Sequence, residues 1–321
     1  MIKVGIIGGA GYTAGELIRI LIHHPEVEIA FVQSNSQAGI LVSNVHTDLE
    51  GDFFKVFSND MPIVPDVLFL CSGHGRSRDF LFKNDISKKT KIIDLSSDFR
   101  LKENTNSFIY GLPELNRNKI KSANKIANPG CFATAIQLAL LPLAKNNLLV
   151  NEVHIHAITG ATGAGQKPVD TTHFSYRSNN VSIYKPFSHQ HLSEINESIL
   201  HVQNGFDKKI NFIPVRGNFS RGIFASVYTE CNLSEQKIKG TFQDFYQDHP
   251  FVKITENNPS LKQVINTNKC LLFLEKHGDK IFIISLIDNL LKGASGQAVQ
   301  NMNLMFDLPE TTGLQLKATV F

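Results

Sequence analysis

The chain begins with a strand that runs directly into a glycine-rich turn and a helix, an order that few folds accommodate. Ile2–Ile7 is a short run of apolar and β-branched residues, and residues 8–14 supply the glycines. Residues 14–23 then place apolar side chains on one helical face, and Pro25 ends the helix. This order predicts parallel strands joined by crossover helices.

The alternation continues through the first third of the chain. Val27–Gln33 has the composition of a second strand, and residues 67–71 and 91–95 repeat the strand signal. A helical stretch around residues 78–83 separates the last two. The resulting βαβαβ pattern predicts an α/β domain with a Rossmann-type parallel sheet.

After about residue 148 the pattern changes to long strands rich in β-branched or aromatic residues, with helices predicted at 192–203 and 236–247. This half predicts an α+β domain with a mixed sheet. A last helix over residues 294–306 follows a glycine-rich turn, and we expect it to return to the first domain. The predicted domains are residues 1–130 with about 290–321, and residues 131–289. The predicted strands of the second domain are Val153–Thr159, 222–231, 270–276 and 281–287.

The composition is that of an ordinary globular chain. Hydrophobic residues make up 42% and charged residues 19% of the 321 residues, which excludes a disordered or fibrous class. A net charge of +3 is too small for a protein that wraps nucleic acid. The apolar stretches at 135–144 and 281–287 are shorter than the roughly 20 residues that span a bilayer. We therefore expect no membrane segment and a cytoplasmic protein.

The turn after the first strand has the position and composition of a dinucleotide-binding loop. At the start of a helix, main-chain N–H groups and the helix dipole stabilise a pyrophosphate, and glycines let it approach. A tight turn without any ligand is the alternative. The predicted cofactor contacts in this turn are Gly8, Ala10, Gly11, Tyr12, Thr13 and Ala14.

The end of the second strand favours NADP over NAD. Sites specific for NAD usually carry an Asp or Glu there, which holds the ribose 2′-hydroxyl. This chain instead has Gln33 followed by Ser34, Asn35 and Ser36, which provide hydroxyl and amide donors and no carboxylate to repel a 2′-phosphate. The stretch has no arginine, and a polar loop after a strand is the alternative.

Cys131 is the candidate nucleophile among the four cysteines of the chain. It lies at the predicted start of a helix over residues 132–145, where the helix dipole and unpaired N–H groups lower the pKa of a thiol. Cys71, Cys231 and Cys270 each lie at or inside an apolar strand, where a cysteine usually acts as a small hydrophobic residue. We therefore assign chemistry to Cys131 alone.

A proton shuttle for this thiol is available at the start of another helix. His191 and Glu194 are three residues apart and share one helical face, so the carboxylate is placed to orient the ring. Polar residues that merely begin a helix are the alternative. His189 and His191 also form an H-x-H pair, but no third ligand is placed to complete a metal site, so we predict none.

These motifs together resemble the N-acetyl-gamma-glutamyl-phosphate reductase family, whose members use NADPH in arginine biosynthesis. The resemblance covers nearly the whole chain, and the stretch around Cys131 is its most specific part. The segments that carry it are residues 8–17, 93–100, 110–115, 128–135 with Pro142, 160–165, 189–194 and 292–301.

The resemblance implies a covalent mechanism. Cys131 attacks the acyl phosphate, releases phosphate and carries the acyl group as a thioester, which NADPH reduces. His191, backed by Glu194, is then the acid and base, with His189 as the alternative. It also implies that the second domain serves catalysis and dimerisation, and that the protein is a homo-oligomer, a dimer or a tetramer.

Further contacts follow from the same resemblance. Asn289, Gly293 and Gly296 belong to a second loop near the cofactor. The sequence offers Arg117, Arg216 and Arg221 equally as candidates for binding phosphate or carboxylate, since a guanidinium binds either with two hydrogen bonds. A solvated surface charge is the alternative for each. The predicted substrate-binding residues are Arg100, Arg117, Asn128, Gly163, Gln166 and Arg221.

Some positions depart from the family's usual pattern. Asn35 and Gln166 replace basic residues that many relatives carry, and residues 212–222 keep only the Arg-Gly ending of a common motif. A changed acyl pocket makes an N-succinyl substrate an alternative. Aspartate-semialdehyde dehydrogenase is a second alternative with the same chemistry, and a catalytically silent NADP-binding sensor is a third, from another class.

Overall fold

A computed structural model describes residues 1–105 and 107–320. The chain forms two compact units. The first contains Met1–Pro129 and Ala294–Gln315, and the second contains Gly130–Gly293 and the residues from Leu316 onward. One unit has a parallel sheet and the other a mixed sheet, so the predicted fold class is confirmed.

The sheet of the first unit has six strands in the order β2-β1-β3-β4-β6-β5, and every neighbouring pair is parallel. Its central strands are apolar and buried on both sides, as expected when helices cover both faces. The strands are β1 (Ile2–Ile7), β2 (Val27–Gln33), β3 (Val67–Leu70), β4 (Lys91–Asp94), β5 (Ile109–Tyr110) and β6 (Lys125–Ala127).

Three helices follow strands of this sheet: α1 (Tyr12–Leu21), α2 (Arg76–Lys83) and α3 (Pro113–Lys121). Helix α1 begins two residues before its predicted start, because Gly11 has extended backbone and acts as the N-cap. The carboxylate of Asp98 caps α2 from outside the helix, since it accepts hydrogen bonds from the N–H of Gly75 at 2.7 Å and of Arg78 at 3.0 Å.

The sheet of the second unit has seven strands in the order β11-β12-β13-β10-β7-β9-β8, with both parallel and antiparallel pairs. Helix α4 lies against its middle strands, and along β10 buried and exposed residues alternate, so one face of the sheet is covered. The strands are β7 (Val153–Thr159), β8 (Ser182–Ile183), β9 (Ile210–Arg216), β10 (Ile223–Glu230), β11 (Val252–Ile254), β12 (Cys270–His277) and β13 (Lys280–Ile287), and the helices are α4 (Cys131–Lys145), α5 (Phe174–Arg177), α6 (His191–Val202) and α7 (Glu235–Tyr246).

The chain then returns to the first unit as α8 (Ser295–Met305), which packs against α1, α3 and β4. Polar side chains of this helix form hydrogen bonds with its neighbours. Ser295 Oγ donates to the carbonyl of Thr13 at 2.7 Å. Asn301 Nδ2 donates to the carbonyl of Gly111 at 2.8 Å and to Asn128 Oδ1 at 3.0 Å. The buried amides explain why α8 shows little apolar periodicity.

The short elements β5, β6, β8, β11 and α3 do not stand out in the sequence. A strand of two or three residues is too short to display the period of two that identifies longer strands. Among the described helices, none is long and apolar enough to cross a membrane. Residues 1–105 and 107–320 contain no group of three or more His, Cys, Asp or Glu side chains arranged to hold a metal ion.

Candidate active site

Cys131 is the first residue of α4, and Gly130 is the N-cap, with φ −70° and ψ 151°. The rest of the helix is buried through Ala144, whereas Cys131 remains partly exposed. The first N–H groups of a helix have no partner within the helix and carry its positive dipole end, so this position stabilises a thiolate. Cys71, by contrast, is buried in the first unit, and its burial raises the pKa of the thiol to about 12.

Glu194 and His191 both contact Gly130, the residue that precedes Cys131. Glu194 Oε2 accepts a hydrogen bond from the N–H of Gly130 at 3.0 Å. The His191 ring lies so close to Gly130 that a Cβ there would be 2.6 Å from Cε1 and 2.7 Å from Cδ2. His191 Nε2 is 3.9 Å from Glu194 Oε1. The structure therefore brings Cys131, His191 and Glu194 together within the second unit.

His189 lies beside this group in an aromatic setting. Its ring makes edge contacts with Phe132 and Phe212, both at 5.5 Å between centroids, and with His191 at 4.6 Å. The pKa of His189 is lowered to about 4, chiefly by burial and also by the positive charges of Lys185 and Arg216, while Glu194 acts in the opposite direction. Its Nδ1 accepts a hydrogen bond from the N–H of His191 at 3.2 Å. His189 is therefore neutral at pH 7, with its proton on Nε2.

Tyr184 and Arg216 also border the nucleophile. The pKa of Tyr184 is raised to about 12, chiefly by burial and also by the nearby Cys131, while Arg216 acts in the opposite direction. The guanidinium carbon of Arg216 is 4.8 Å from the centre of the Tyr184 ring. No linear motif marks Tyr184, because it reaches the site through the pairing of β8 with β9.

The other arginines with a predicted binding role have partners inside the protein. Arg221 Nε is 3.1 Å from Oδ2 of the buried Asp288. Arg117 Nε is 2.8 Å from Glu310 Oε1 in the first unit. Also in the first unit, the buried Arg100 donates to the carbonyls of Asn128 at 2.9 Å and Leu95 at 3.1 Å.

Of the loop residues of the second unit with predicted roles, some pack inside the protein and others are exposed. Asn289 Oδ1 accepts from the N–H of Gly222 at 2.6 Å, and its Nδ2 donates to Thr162 Oγ1 at 3.0 Å. Gly293 packs directly against the nucleophile, since a Cβ there would be 2.8 Å from Cys131 Cβ. Gly163 lies beside Thr159, where a Cβ would be 3.5 Å from Oγ1, and Gln166 is exposed. Asn289 and Gly293 thus shape the loop next to Cys131.

Asn128, predicted to bind substrate, lies in the first unit. Its Nδ2 donates to the carbonyl of Ala294 at 3.0 Å, and its Oδ1 accepts from Asn301. Both polar atoms of this amide therefore bond within the protein.

The turn between β1 and α1 has the features of an anion-binding loop. Gly8 has a positive φ of 76°, and a Cβ there would be 2.6 Å from Ser72 Cα, so only glycine fits. Helix α1 has no acidic residue in its first turn and no side-chain cap at Gly11. The N–H groups of Tyr12, Thr13 and Ala14 therefore begin a helix that attracts negative charge. Ala10 precedes them in the same turn, half-buried.

Two neighbouring features complete the predicted cofactor region of the first unit. Gly296 is buried in the first turn of α8, next to Ser295, which bonds to Thr13. After β2, Ser34 is buried and its Oγ is 3.4 Å from Ser36 Oγ, whereas Asn35 and Ser36 are exposed. Gln33 Nε2 donates to Asn35 Oδ1.

Two family models match the chain. One, described as the semialdehyde dehydrogenase NAD binding domain, matches residues 3–123. The other, described as the semialdehyde dehydrogenase dimerisation domain, matches residues 131–289.

Several curated proteins of similar sequence are named N-acetyl-gamma-glutamyl-phosphate reductase. The chain is 61% identical to the N-acetyl-gamma-glutamyl-phosphate reductase of Azobacteroides pseudotrichonymphae over 322 residues, which cover 100% of both chains. It is 59% identical to the protein of that name from Christiangramia forsetii, again over 100% of both.

The fold also matches solved structures. An aspartate semialdehyde dehydrogenase II from Vibrio cholerae aligns with a TM-score of 0.75 and 16% identity, over 96% of this chain and 98% of that one. At this identity the likeness concerns the fold.

Proposed function

The chain belongs to the semialdehyde dehydrogenase family, and we propose that it reduces N-acetyl-gamma-glutamyl phosphate to N-acetylglutamate 5-semialdehyde with NADPH, a step of arginine biosynthesis. The observation that carries the proposal is the group formed by Cys131, His191 and Glu194 around Gly130. The names of the relatives support the same substrate over an N-succinyl analogue or aspartate semialdehyde.

In the first step, Cys131 Sγ attacks the carbonyl carbon of the acyl phosphate. A carbon–sulfur bond forms, the bond between that carbon and the phosphate oxygen breaks, and phosphate leaves with the electron pair. The N-terminus of α4 favours the thiolate that this attack requires. The product of the step is a thioester on Cys131.

The first unit contains the family's NAD binding domain and binds a nicotinamide cofactor. Its glycine turn fits a pyrophosphate, since Gly8 lets the chain turn and the start of α1 carries no competing acid. When bound, the cofactor supplies the hydride that reduces the thioester carbonyl. We assign NADP rather than NAD, because Ser34, Asn35 and Ser36 present no carboxylate to a 2′-phosphate.

In the last step, the hemithioacetal on Cys131 collapses to the semialdehyde. His191 gives a proton to the oxyanion that reduction leaves on the thioester carbon, and takes it back from the hydroxyl as the carbonyl re-forms, the carbon–sulfur bond breaks and the sulfur recovers its electron pair. Glu194 orients the ring through the contact at Nε2. We assign the shuttle to His191 rather than His189, because the Nδ1 of His189 already accepts a hydrogen bond and its pKa of about 4 makes its ring a weak base.

We further propose that the protein is a homo-oligomer that pairs through the face of the mixed sheet opposite α4. On that face Phe224, Phe273 and Phe282 pack around the buried Ile284 and Leu286 but stay half-buried themselves. The match of this unit to a model described as a dimerisation domain supports the assignment.

The function is tested by phosphate-dependent reduction of NADP with N-acetylglutamate semialdehyde, run beside the N-succinyl analogue and aspartate semialdehyde. We expect turnover of the N-acetyl substrate that disappears in the Cys131→Ala variant and persists in Cys231→Ala, a matched buried-cysteine control. Turnover of aspartate semialdehyde alone would assign the protein to the other reaction. NADP binding without any turnover would favour a sensor.

A further inference from the structure

Arg216 differs from the arginines that have partners inside the protein. Arg221 is paired with Asp288 and Arg117 with Glu310, so their charges are already balanced. Among the described residues, Arg216 forms no ion pair, and its Nε is buried without a hydrogen-bond partner. A buried donor without an acceptor is costly, which makes Arg216 the arginine best prepared to receive an anion.

The position of Arg216 directs it toward the nucleophile. Phe212, Pro214 and Arg216 alternate along β9 and share one face of the sheet. Phe212 on that face contacts the ring of Phe132, which follows Cys131, at 5.1 Å between centroids. The guanidinium also stacks on Tyr184, whose pKa Cys131 affects. Arg216 therefore lies on the side of the sheet where the chemistry takes place.

The local charge is positive. Lys185 and Arg216 both lower the pKa of His189, and Glu194, the carboxylate that opposes them, already accepts the N–H of Gly130. A substrate anion placed here gains from both cations.

We propose that Arg216 binds a carboxylate of the substrate and so determines which acyl compounds react at Cys131. The proposal rests on the proposed function. The guanidinium stacks on the Tyr184 ring, and its unpartnered Nε–H and the neighbouring N–H form a flat edge suited to a planar acceptor with two oxygens. Burial also favours a singly charged carboxylate over a doubly charged phosphate, because the cost of removing a charge from water rises steeply with its size.

The test compares Arg216→Met and Arg216→Lys with the wild type and with Arg19→Met, an arginine of the first unit paired with Glu16. We expect KM for the acylated semialdehyde to rise at least tenfold in Arg216→Met. Arg216→Lys should restore KM only in part, because lysine keeps the charge but does not offer two parallel hydrogen bonds to a carboxylate. KM for phosphate and for NADP should stay within twofold. A rise confined to KM for phosphate, or no change at all, overturns the proposal.

Two substrates identify which carboxylate is bound. An equal loss with the N-acetyl and N-succinyl semialdehydes assigns Arg216 to the glutamyl α-carboxylate. A loss confined to the N-succinyl compound assigns it to a carboxylate on the acyl group. Both results support the proposal, since each requires a carboxylate at Arg216.

Calorimetric titration with N-acetylglutamine, which keeps the α-carboxylate and cannot react, and with N-succinylglutamine separates this proposal from the proposed function. If binding depends on Arg216 but no semialdehyde is turned over, the role of Arg216 is supported and the proposed function is wrong. If turnover is the same in wild type and Arg216→Met, the proposed function is supported and the role of Arg216 is wrong. If neither binding nor turnover is found, both proposals are wrong.

Discussion

The main-chain N–H of Gly130 donates a hydrogen bond to Glu194 Oε2 at 3.0 Å, and this bond joins the residue before the nucleophile to the helix that carries His191. The N-terminus of α4 and the first turn of α6 are thereby held together. Any change at Gly130 acts on the nucleophile and on its proton shuttle at once.

Replacing Gly130 with alanine should reduce activity and leave the fold intact. The φ of −70° suits any residue, so the backbone tolerates the change. The new Cβ overlaps the His191 ring, which must move away. We expect kcat to fall at least tenfold, as measured by steady-state kinetics, with an unchanged circular dichroism spectrum. The control is Gly240→Ala in α7, where a Cβ meets nothing within 4 Å. Wild-type kcat in Gly130→Ala would contradict the role given to His191.

Iodoacetamide should alkylate Cys131 selectively. Cys131 is partly exposed at a helix N-terminus, whereas Cys71 is buried with a pKa of about 12. Cys231 and Cys270 are buried as well. Peptide mass spectrometry at pH 8 should find one modified cysteine, and activity should decline in step with it. Modification of another cysteine at a comparable rate would refute this expectation.

Stability should depend on His189 at mildly acidic pH. Its pKa is lowered from 6.5 to about 4 in the folded protein, chiefly by burial. The unfolded chain gains a proton below about pH 6.5, while the folded protein stays neutral until about pH 4. The stability present above pH 6.5 is therefore lost progressively as the pH falls toward 4. The difference between the urea midpoints at pH 7 and pH 5 should be smaller in His189→Gln than in the wild type. In the control His23→Gln, which changes an exposed histidine, the difference should equal that of the wild type.

Loss of Arg221 should destabilise the second unit. Asp288 is fully buried, and Arg221→Met leaves its carboxylate without the guanidinium. We expect a loss of about 3 kcal/mol, because a buried charge that loses its partner is costly. Arg19→Met, which breaks a partly exposed pair, should cost about 0.5 kcal/mol. Urea unfolding measures both. If Arg221→Met leaves stability unchanged but raises KM for the acylated semialdehyde, Arg221 binds substrate instead.

A negative charge after β2 should discriminate against NADPH. Ser36 is exposed beside Ser34, and Ser36→Asp places a carboxylate where we assign the 2′-phosphate. The ratio of KM for NADPH to KM for NADH should rise at least tenfold through repulsion of like charges. Ser36→Asn is the uncharged control. An unchanged ratio in the Asp variant would place the 2′-phosphate elsewhere.

The sequence predicts the parallel sheet because long buried strands and amphipathic helices have clear periods, and its family resemblance is confirmed. Cys131, His191 and Glu194 are also visible in the sequence, since a helix start and a spacing of three residues are local signals.

The contact of Tyr184 with Arg216 and the unpartnered Nε of Arg216 are not visible in the sequence. Ser182 pairs with Arg216 across the β8–β9 ladder, a register set by tertiary structure and spanning many residues of loop and helix. In the same way, nothing in the spacing of Arg221 or Asn289 shows that each has a partner within the protein. Long-range polar pairs lack a period, so a single sequence does not reveal them.

The hydrogen bond between Asn128 and Asn301 joins two residues of the first unit that are synthesised far apart in time. The sheet of the first unit is synthesised early, but α8, which packs on α1 and α3, is among the last elements to emerge. A nascent chain that has reached Gly293 contains nearly all of the second unit and a first unit whose surface for α8 is still bare. That apolar surface is a site for chaperone binding or aggregation during synthesis, until translation of the final helix covers it.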